Sequence, residues 1–221
     1  MKFSMREVLF ALTHPWVIFA RPLTELDLAP EPMAQFARWF ERAQRCFWLQ
    51  FPDAMCLSTI DLEGYPEGRM VLLKEFDKNG FIFYTNHNSR KGRSLMANPR
   101  AALSFYWDAL QLQVRIQGDV EPVQGAEADA YFASRPRTSQ IGAWASLQSD
   151  KLESRAVLEG RIGEFEEKFK GQAVPRPEHW HGFRIKPRRC EFWKLRPSRL
   201  HDRFVYSLRE DGGWDITRLY P

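Results

Sequence analysis

Apolar positions recur in two rhythms along this chain, and the change from one to the other divides it. Over residues 31–50, Met33, Phe36, Ala37, Phe40 and Phe47 share one stripe while Arg38, Glu41, Arg42 and Arg45 lie off it. This is the 3.6-residue period of an amphipathic helix, opened by Pro30 and Pro32. After Pro52 the texture becomes short β-like runs at 54–60, 69–75 and 81–85, punctuated by Asp61-Leu62-Glu63-Gly64 and Asp77-Lys78-Asn79-Gly80, which predicts an antiparallel meander. A short helix is predicted over 90–97 and stopped by Asn98-Pro99; strands follow over 101–107 and 111–123, then helices over 125–134, 138–145 and 151–170. Strands resume at 182–186, 190–195, 203–208 and 214–219, with Asp211-Gly212-Gly213 turning the last hairpin. About eight such strands, rich in inward Phe, Trp, Leu and Val, are more easily closed as a barrel than left with open edges. The expected fold is therefore α+β, mainly antiparallel, of barrel type.

With 221 residues, 44% hydrophobic and 14% aromatic, the chain can bury a sizeable core, and one compact domain over 26–221 is expected behind an N-terminal arm, 1–25. Residues 5–20 imitate a secretory signal, since Lys2 and Arg6 precede the apolar runs 8–12 and 16–20. His14-Pro15 interrupts those runs, and the broken stretch falls short of the ~20 residues that span a bilayer, so an arm is expected rather than a membrane anchor. A formal charge of +4 is small against 32 basic and 28 acidic residues, and it does not point to nucleic acid. Cys46, Cys56 and Cys190 form no CxxC pair and leave an odd thiol, which fits a reducing compartment; the cytoplasm is expected.

What changes the picture is how the cations are packaged: 69–74, Ser89-Arg90-Lys91, 135–139 and 199–203 each set basic side chains among apolar or aromatic ones. A pocket for a planar phosphorylated ligand needs fork donors for the phosphate and apolar walls for the ring. Four clusters suffice for two such molecules. Arg69 and Lys74 have opposite parity, so on one regular strand they reach the same ligand only across a bulge or an edge; a strand with solvated ends is the plain alternative. Ser89-Arg90-Lys91 follows a strand end and opens a helix, where free N–H groups favour an anion; a capping Ser89 beside two solvated cations is the plain alternative. Arg199, His201 and Arg203 alternate, so an extended segment would turn all three to one side, and a rim strand neutralised by Asp202 competes with a binding role. His179 and His181 lack a nearby third ligand and read as structural, so no metal site is expected. GxGxxG, GxxxxGK[ST], HExxH and GxSxG motifs are missing, so a cofactor would bind by a less familiar mode.

Taken together, Gly68-Arg69-Met70-Val71-Leu72-Leu73-Lys74, Phe83-Tyr84-Thr85-Asn86 with Ser89-Arg90-Lys91, Ser134-Arg135-Pro136-Arg137 with 139–144, and Glu191-Phe192-Trp193 with Arg199-Leu200-His201-Asp202-Arg203 make the chain resemble the pyridoxamine 5'-phosphate oxidase family from residue 26 to the end. The resemblance implies an FMN-binding split β-barrel with peripheral helices, assembled as a homodimer with FMN at the interface. It implies FMN contacts from Arg69, Met70, Val71, Leu72, Leu73, Lys74, Tyr84, Thr85, Arg90, Lys91, Gln113, Gln148, Ser149, Trp193 and Arg203. The substrate would meet Lys74, Tyr131, Arg135, Ser139, Arg199 and His201, the last two as the catalytic pair. The implied reaction is oxidation of pyridoxamine or pyridoxine 5'-phosphate to pyridoxal 5'-phosphate, with O2 as acceptor and H2O2 as product. The chain departs from the family in its N-terminal stretch, which has Arg6-Glu7-Val8 and a hydrophobic segment, and at Cys190 and Lys194. Competing readings are a flavin- or pyridoxal phosphate-binding barrel without turnover, a basic single-strand-binding barrel, and a related reductase using another substrate or deazaflavin.

Overall fold

A computed structural model describes residues 21–221, so the signal-like stretch 5–20 and most of the expected arm lie outside the described residues. Five α-helices are described: α1 (Pro32–Gln44), α2 (Arg90–Ala97), α3 (Ala126–Ser134), α4 (Arg137–Ala145) and α5 (Arg155–Lys168). Nine strands accompany them: β1 (Ala54–Ile60), β2 (Pro66–Leu72), β3 (Glu75–Asp77), β4 (Gly80–Asn86), β5 (Arg100–Trp107), β6 (Leu112–Val123), β7 (Trp180–Lys194), β8 (Asp202–Leu208) and β9 (Trp214–Leu219). The strand order is β2-β1-β5-β6-β7-β4-β3, with β8 paired to β7 and β9 to β8. The class is α+β with a mainly antiparallel sheet, as the sequence predicts. The expected meander is not formed: β2 and β3, adjacent in sequence, sit at opposite ends of that order, because β1 pairs β5 and β4 pairs β7 instead of continuing hairpin to hairpin. Among the described residues no helix is long and apolar enough to cross a membrane.

The chain divides into two compact units. Of the described residues, one holds 21–56 with Ala102–Gln117 and Pro187–Pro221; the other holds Leu57–Ala101 and Gly118–Lys186. In the first, α1 begins with Pro32 at its first turn, where a missing N–H costs nothing, and buries Phe36, Trp39, Phe40 and Ala43 at helical spacing. Phe36 packs on Phe105 at 5.1 Å between ring centroids, and Trp39 meets Phe192 edge-on at 5.2 Å. The Tyr206 hydroxyl donates to the Ala29 carbonyl at 2.7 Å, tying β8 to the segment before α1. The predicted continuation of this helix to residue 50 fails: Phe47 is 90% exposed and has no face to bury against, so the chain leaves the helix at Gln44.

In the second unit, β4 is buried almost throughout, and its Phe83 packs on Phe183 of β7. Helices α3–α5 enclose a second cluster of Phe132, Ile141, Phe169, Val174 and Trp180. Close approach fixes Gly118 here, since a Cβ would lie 2.1 Å from the Lys186 carbonyl oxygen. Strand β7 runs unbroken through Lys186-Pro187-Arg188-Arg189, where the sequence predicts a gap; Pro187 falls between the ladder to β4 (180–185) and the ladder to β8 (189–194), so its missing N–H breaks neither. Phe36→Ala is expected to destabilise the protein by about 3–5 kcal/mol through lost burial and an unfilled cavity. A urea midpoint unchanged from wild type would remove Phe36 from the core that organises α1.

Candidate functional site

Cation chemistry in the second unit is organised by two turns that open helices, one after a strand and one after a helix. At the first, Ser89 caps α2: its hydroxyl accepts from the Gly92 N–H at 3.3 Å and donates to the Asn86 carbonyl at 2.6 Å. Gly92 lets the turn close, since a Cβ there would lie 2.2 Å from the His87 carbonyl oxygen. The plain capping role of Ser89 is therefore realised. Lys91 projects from this turn so that Nζ donates to Thr85 Oγ1 at 3.1 Å, Gln148 Oε1 at 3.2 Å and Ser89 Oγ at 3.3 Å. Burial lowers the Lys91 pKa, and the Arg69 charge lowers it further. An anion here would relieve both penalties.

Arg90 takes the other direction. Its guanidinium pairs with Asp61 at 2.9 Å and Glu67 at 2.7 Å. Glu67 also binds Arg69 at 2.6 Å, while Arg69 donates to Thr59 Oγ1 at 2.7 Å and to the Leu57 carbonyl at 3.2 Å. The misfit of a cation in a helix first turn is thus met for Arg90 by carboxylates. Asp61 stays ionised in this pairing, because the Tyr65 backbone N–H and then Arg90 hold its carboxyl below the usual range.

The second transition joins α3 to α4 through Arg135-Pro136. Gln140 fixes it by sharing its amide hydrogens among the carbonyls of Phe132, Ala133 and Arg135 at 3.0–3.1 Å. The Arg135 guanidinium lies 4.5 Å over the Trp180 ring and 5.7 Å over Phe132. Its Nη1 is buried with no hydrogen-bond partner, and burial lowers its pKa. Tyr84, Tyr131 and Trp180 lie nearly parallel beside it, Tyr84 at 4.0 Å from Tyr131 and 5.4 Å from Trp180. The Tyr84 phenol is held protonated, raised first by burial and then by Glu75.

One cavity of about 580 Å³ gathers Leu72, Lys74, Tyr84, Thr85, Tyr131, Arg135, Ser139 and Gln148 among the predicted site residues. Lys74 does so because β2 ends at Leu72 and β3 begins at Glu75; the parity obstacle between Arg69 and Lys74 disappears with the regular strand. Leu73 is buried, so its side chain faces core, whereas Met70 is 64% exposed. Ser149 adopts a left-handed φ of 76° beside Gln148. Asn86, from the Phe83–Asn86 passage, also lines the cavity, as do Ser146 and Trp180, which were not singled out by the sequence. Rings that stack across separations of 47 to 96 residues leave no local pattern to find them by. A cavity of this size with parallel rings, a buried unpartnered guanidinium and a hydroxyl set suits a planar ring carrying a phosphate.

The first unit carries Gln113, Trp193, Arg199, His201 and Arg203. Glu191, 2% exposed on its side chain, grips Arg203 through Nε and Nη2, both at 2.8 Å, with Arg189 at 3.5 Å and Arg115 at 3.6 Å. The His201 ring lies 4.6 Å from Trp193, and its Nδ1 accepts from the Arg196 N–H at 3.2 Å. Burial first, then Arg199 and Arg203, lower its pKa. The expected alternation of Arg199, His201 and Arg203 on one extended face is not formed. Pro197–Arg199 make a 3-10 turn, Ser198 and Arg199 have φ of 59° and 61°, and β8 begins only at Asp202, so Arg199 has no strand parity. Asp202 does neutralise, pairing with Arg218 at 3.5 Å and accepting from the Leu23 N–H at 2.9 Å.

No group of three or more metal-ligating side chains occurs among the described residues. His181 Nδ1 meets Arg176 at 2.9 Å and so accepts, which leaves its ring neutral.

These features define an antiparallel α+β protein with a cavity lined by parallel rings, cations and hydroxyls, and comparison with known proteins specifies the family. Residues 40–169 match the family model described as pyridoxamine 5'-phosphate oxidase, and residues 180–221 match the pyridoxine 5'-phosphate oxidase C-terminal dimerisation region. The chain belongs to the pyridoxamine 5'-phosphate oxidase family. It is 57% identical over 199 residues to a pyridoxine/pyridoxamine 5'-phosphate oxidase of Myxococcus xanthus, covering 90% of this chain and 96% of the relative. A similarly named protein of Cupriavidus metallidurans is 52% identical, with 90% and 93% covered. Among solved structures, PhzG of Burkholderia lata, in complex with tetrahydrophenazine-1-carboxylic acid, superposes with a TM-score of 0.82 at 32% identity, covering 90% of this chain and 98% of that one. A pyridoxamine 5'-phosphate oxidase-related, FMN binding protein of Nostoc punctiforme gives 0.69 at 17% identity, covers 88% and 99%, and shares the fold. The fold is that of the FMN-binding split barrels.

The turn that leads into α2 also holds His87, stacked on Phe183 at 4.4 Å and 4.5 Å from His181. Burial, reinforced by His181, lowers the His87 pKa from 6.5 to about 4. The unfolded chain takes up a proton first, so His87 costs no stability above pH 6.5 and a growing amount as pH falls from 6.5 towards 4. His87→Phe is expected to flatten that part of the stability curve. An NMR titration midpoint for the His87 ring near 6.5 would contradict the assignment.

Proposed function

We propose that this chain is an FMN-dependent pyridoxamine/pyridoxine 5'-phosphate oxidase. The observation that carries the reading is the 580 Å³ cavity, which sets the buried, unpartnered Nη1 of Arg135 beside parallel aromatic rings in a chain of this family. FMN, when bound, supplies a two-electron acceptor that O2 regenerates with release of H2O2. In balance, pyridoxamine 5'-phosphate, O2 and water give pyridoxal 5'-phosphate, ammonia and H2O2; the C4' C–H bond breaks and its electron pair leaves as hydride.

The residues divide this work. Lys91, whose Nζ here donates to Thr85 and Gln148, is the charged donor for the flavin phosphate, with Thr85, Gln148, Arg69, Met70, Val71, Leu72, Leu73, Tyr84, Arg90, Gln113, Ser149, Trp193 and Arg203 completing the cofactor contacts. Lys74, Tyr131, Arg135 and Ser139 take the substrate phosphate, two of them charged and two hydroxyl donors. Arg199 and His201 orient the substrate ring; with its Nδ1 accepting the Arg196 N–H, the His201 ring offers Nε2–H as a donor there. The C-terminal match supports a homodimer as the working form, and three free cysteines, Cys46, Cys56 and Cys190, support a reducing, cytoplasmic setting.

The test is to purify the protein, record its flavin absorbance and follow pyridoxal 5'-phosphate and peroxide after adding pyridoxamine 5'-phosphate in air. FMN-dependent product in equal amounts with peroxide is expected. A yellow protein that forms none is a binding protein without turnover, and a colourless one that cannot be reconstituted removes FMN from the reading. Lys91→Met is expected to weaken FMN by roughly 10- to 100-fold, as loss of charge-assisted hydrogen bonds does, read by recovery of flavin fluorescence on release.

A further inference from the structure

We propose that Trp180 is a positioning residue: its ring, aided by Phe132, is a shelf that holds the Arg135 guanidinium in place for a phosphate without consuming its donors. The proposal rests on the reading of Arg135 as a phosphate ligand and extends it to a residue that contributes no hydrogen bond of its own.

Four other arginines of the same unit are held by acids. Arg69 pairs with Glu67, Arg90 with Asp61 and Glu67, Arg176 with Asp129 and Arg184 with Asp77 and Glu127. Each commits N–H donors to carboxylates. Arg135 is held differently. The acids of the helix it ends are engaged elsewhere, Asp129 with Arg176 at 2.7 Å and Glu127 with Arg184 at 3.1 Å. Its charge faces two ring surfaces, Trp180 at 4.5 Å and Phe132 at 5.7 Å. A π-face attracts a guanidinium through the ring quadrupole and leaves its edge free, which is where a bidentate phosphate docks.

Rigidity is built in from both sides. Trp180 is 6% exposed, belongs to the Phe132–Ile141–Phe169–Val174 cluster, and is paired through its backbone with Asn86 of β4. Gln140 clamps the Arg135 carbonyl and those before it. The buried Nη1 is therefore left without a partner, and Ser139, on the first turn of α4 beyond Pro136, lines the same cavity. A carboxylate in place of the shelf would hold Arg135 as firmly but fill the fork and repel the anion.

Trp180→Leu and Trp180→Phe in the full-length protein test this. For Trp180→Leu, kcat/KM for pyridoxamine 5'-phosphate relative to unphosphorylated pyridoxamine is expected to fall about tenfold, and inorganic phosphate, titrated calorimetrically, to bind more weakly by a similar factor. Trp180→Phe, with a weaker π-face, should fall between it and wild type, and it serves alone if the leucine variant does not fold. Loss of both vitamers in equal proportion, or phosphate binding as tight as wild type, would overturn the shelf. If the wild type turns over neither vitamer yet the variants still bind phosphate more weakly, the oxidase reading fails and the shelf stands.

Discussion

A buried cation must be held by something, and what holds it decides whether it remains available. This constraint runs through the second unit, where arginines bound by carboxylates alternate with cations supported by rings and hydroxyls. Asp61 and Glu67 hold Arg90, and Glu67 also holds Arg69, so those guanidinium groups commit donors to carboxylates. Lys91 rests on Thr85, Ser89 and Gln148, neutral groups that a stronger anionic acceptor can replace. Arg135 rests on aromatic faces and retains a buried unpartnered N–H. Charge alone does not distinguish these roles; the partner chemistry does.

Backbone geometry makes the distinction possible. Both cation sites sit where an extended segment turns into a helix, so that donors of a first helical turn and side chains of the preceding loop converge. At α2 the turn closes only because Gly92 has no Cβ and Ser89 satisfies both Asn86 and Gly92. At α4, Pro136 holds the residue before it extended, and Gln140 caps the end of α3. The two turns are separate in sequence, yet one cavity receives residues from both.

The first unit solves a similar problem with a buried acid. Glu191 binds Arg203 through two hydrogen bonds and lies near Arg189 and Arg115, so three cations share one desolvated carboxylate. The carboxylate is buried while its arginine partners keep part of their surface in solvent, so the desolvation falls mainly on the acid. Trp193 and His201 then meet at the end of the β7–β8 ladder.

By itself the sequence determined which segments are helices and strands, because periods of 3.6 and 2 and the turn residues between them are local: α2 falls over 90–97 and β1 over 54–60, as predicted. The resemblance of its motifs likewise pointed to the family and to most residues of the cavity. It did not determine the strand order that separates β2 from β3, the unbroken course of β7 through Pro187, the end of α1 at Gln44, or the turn that removes Arg199 from an alternating strand. Nor did it reveal Trp180, Glu67 and Asp61, whose importance lies in holding particular cations. Those outcomes depend on which surfaces find a partner to bury against and which charge finds a counter-charge, and both are settled only by contacts between residues far apart in the chain.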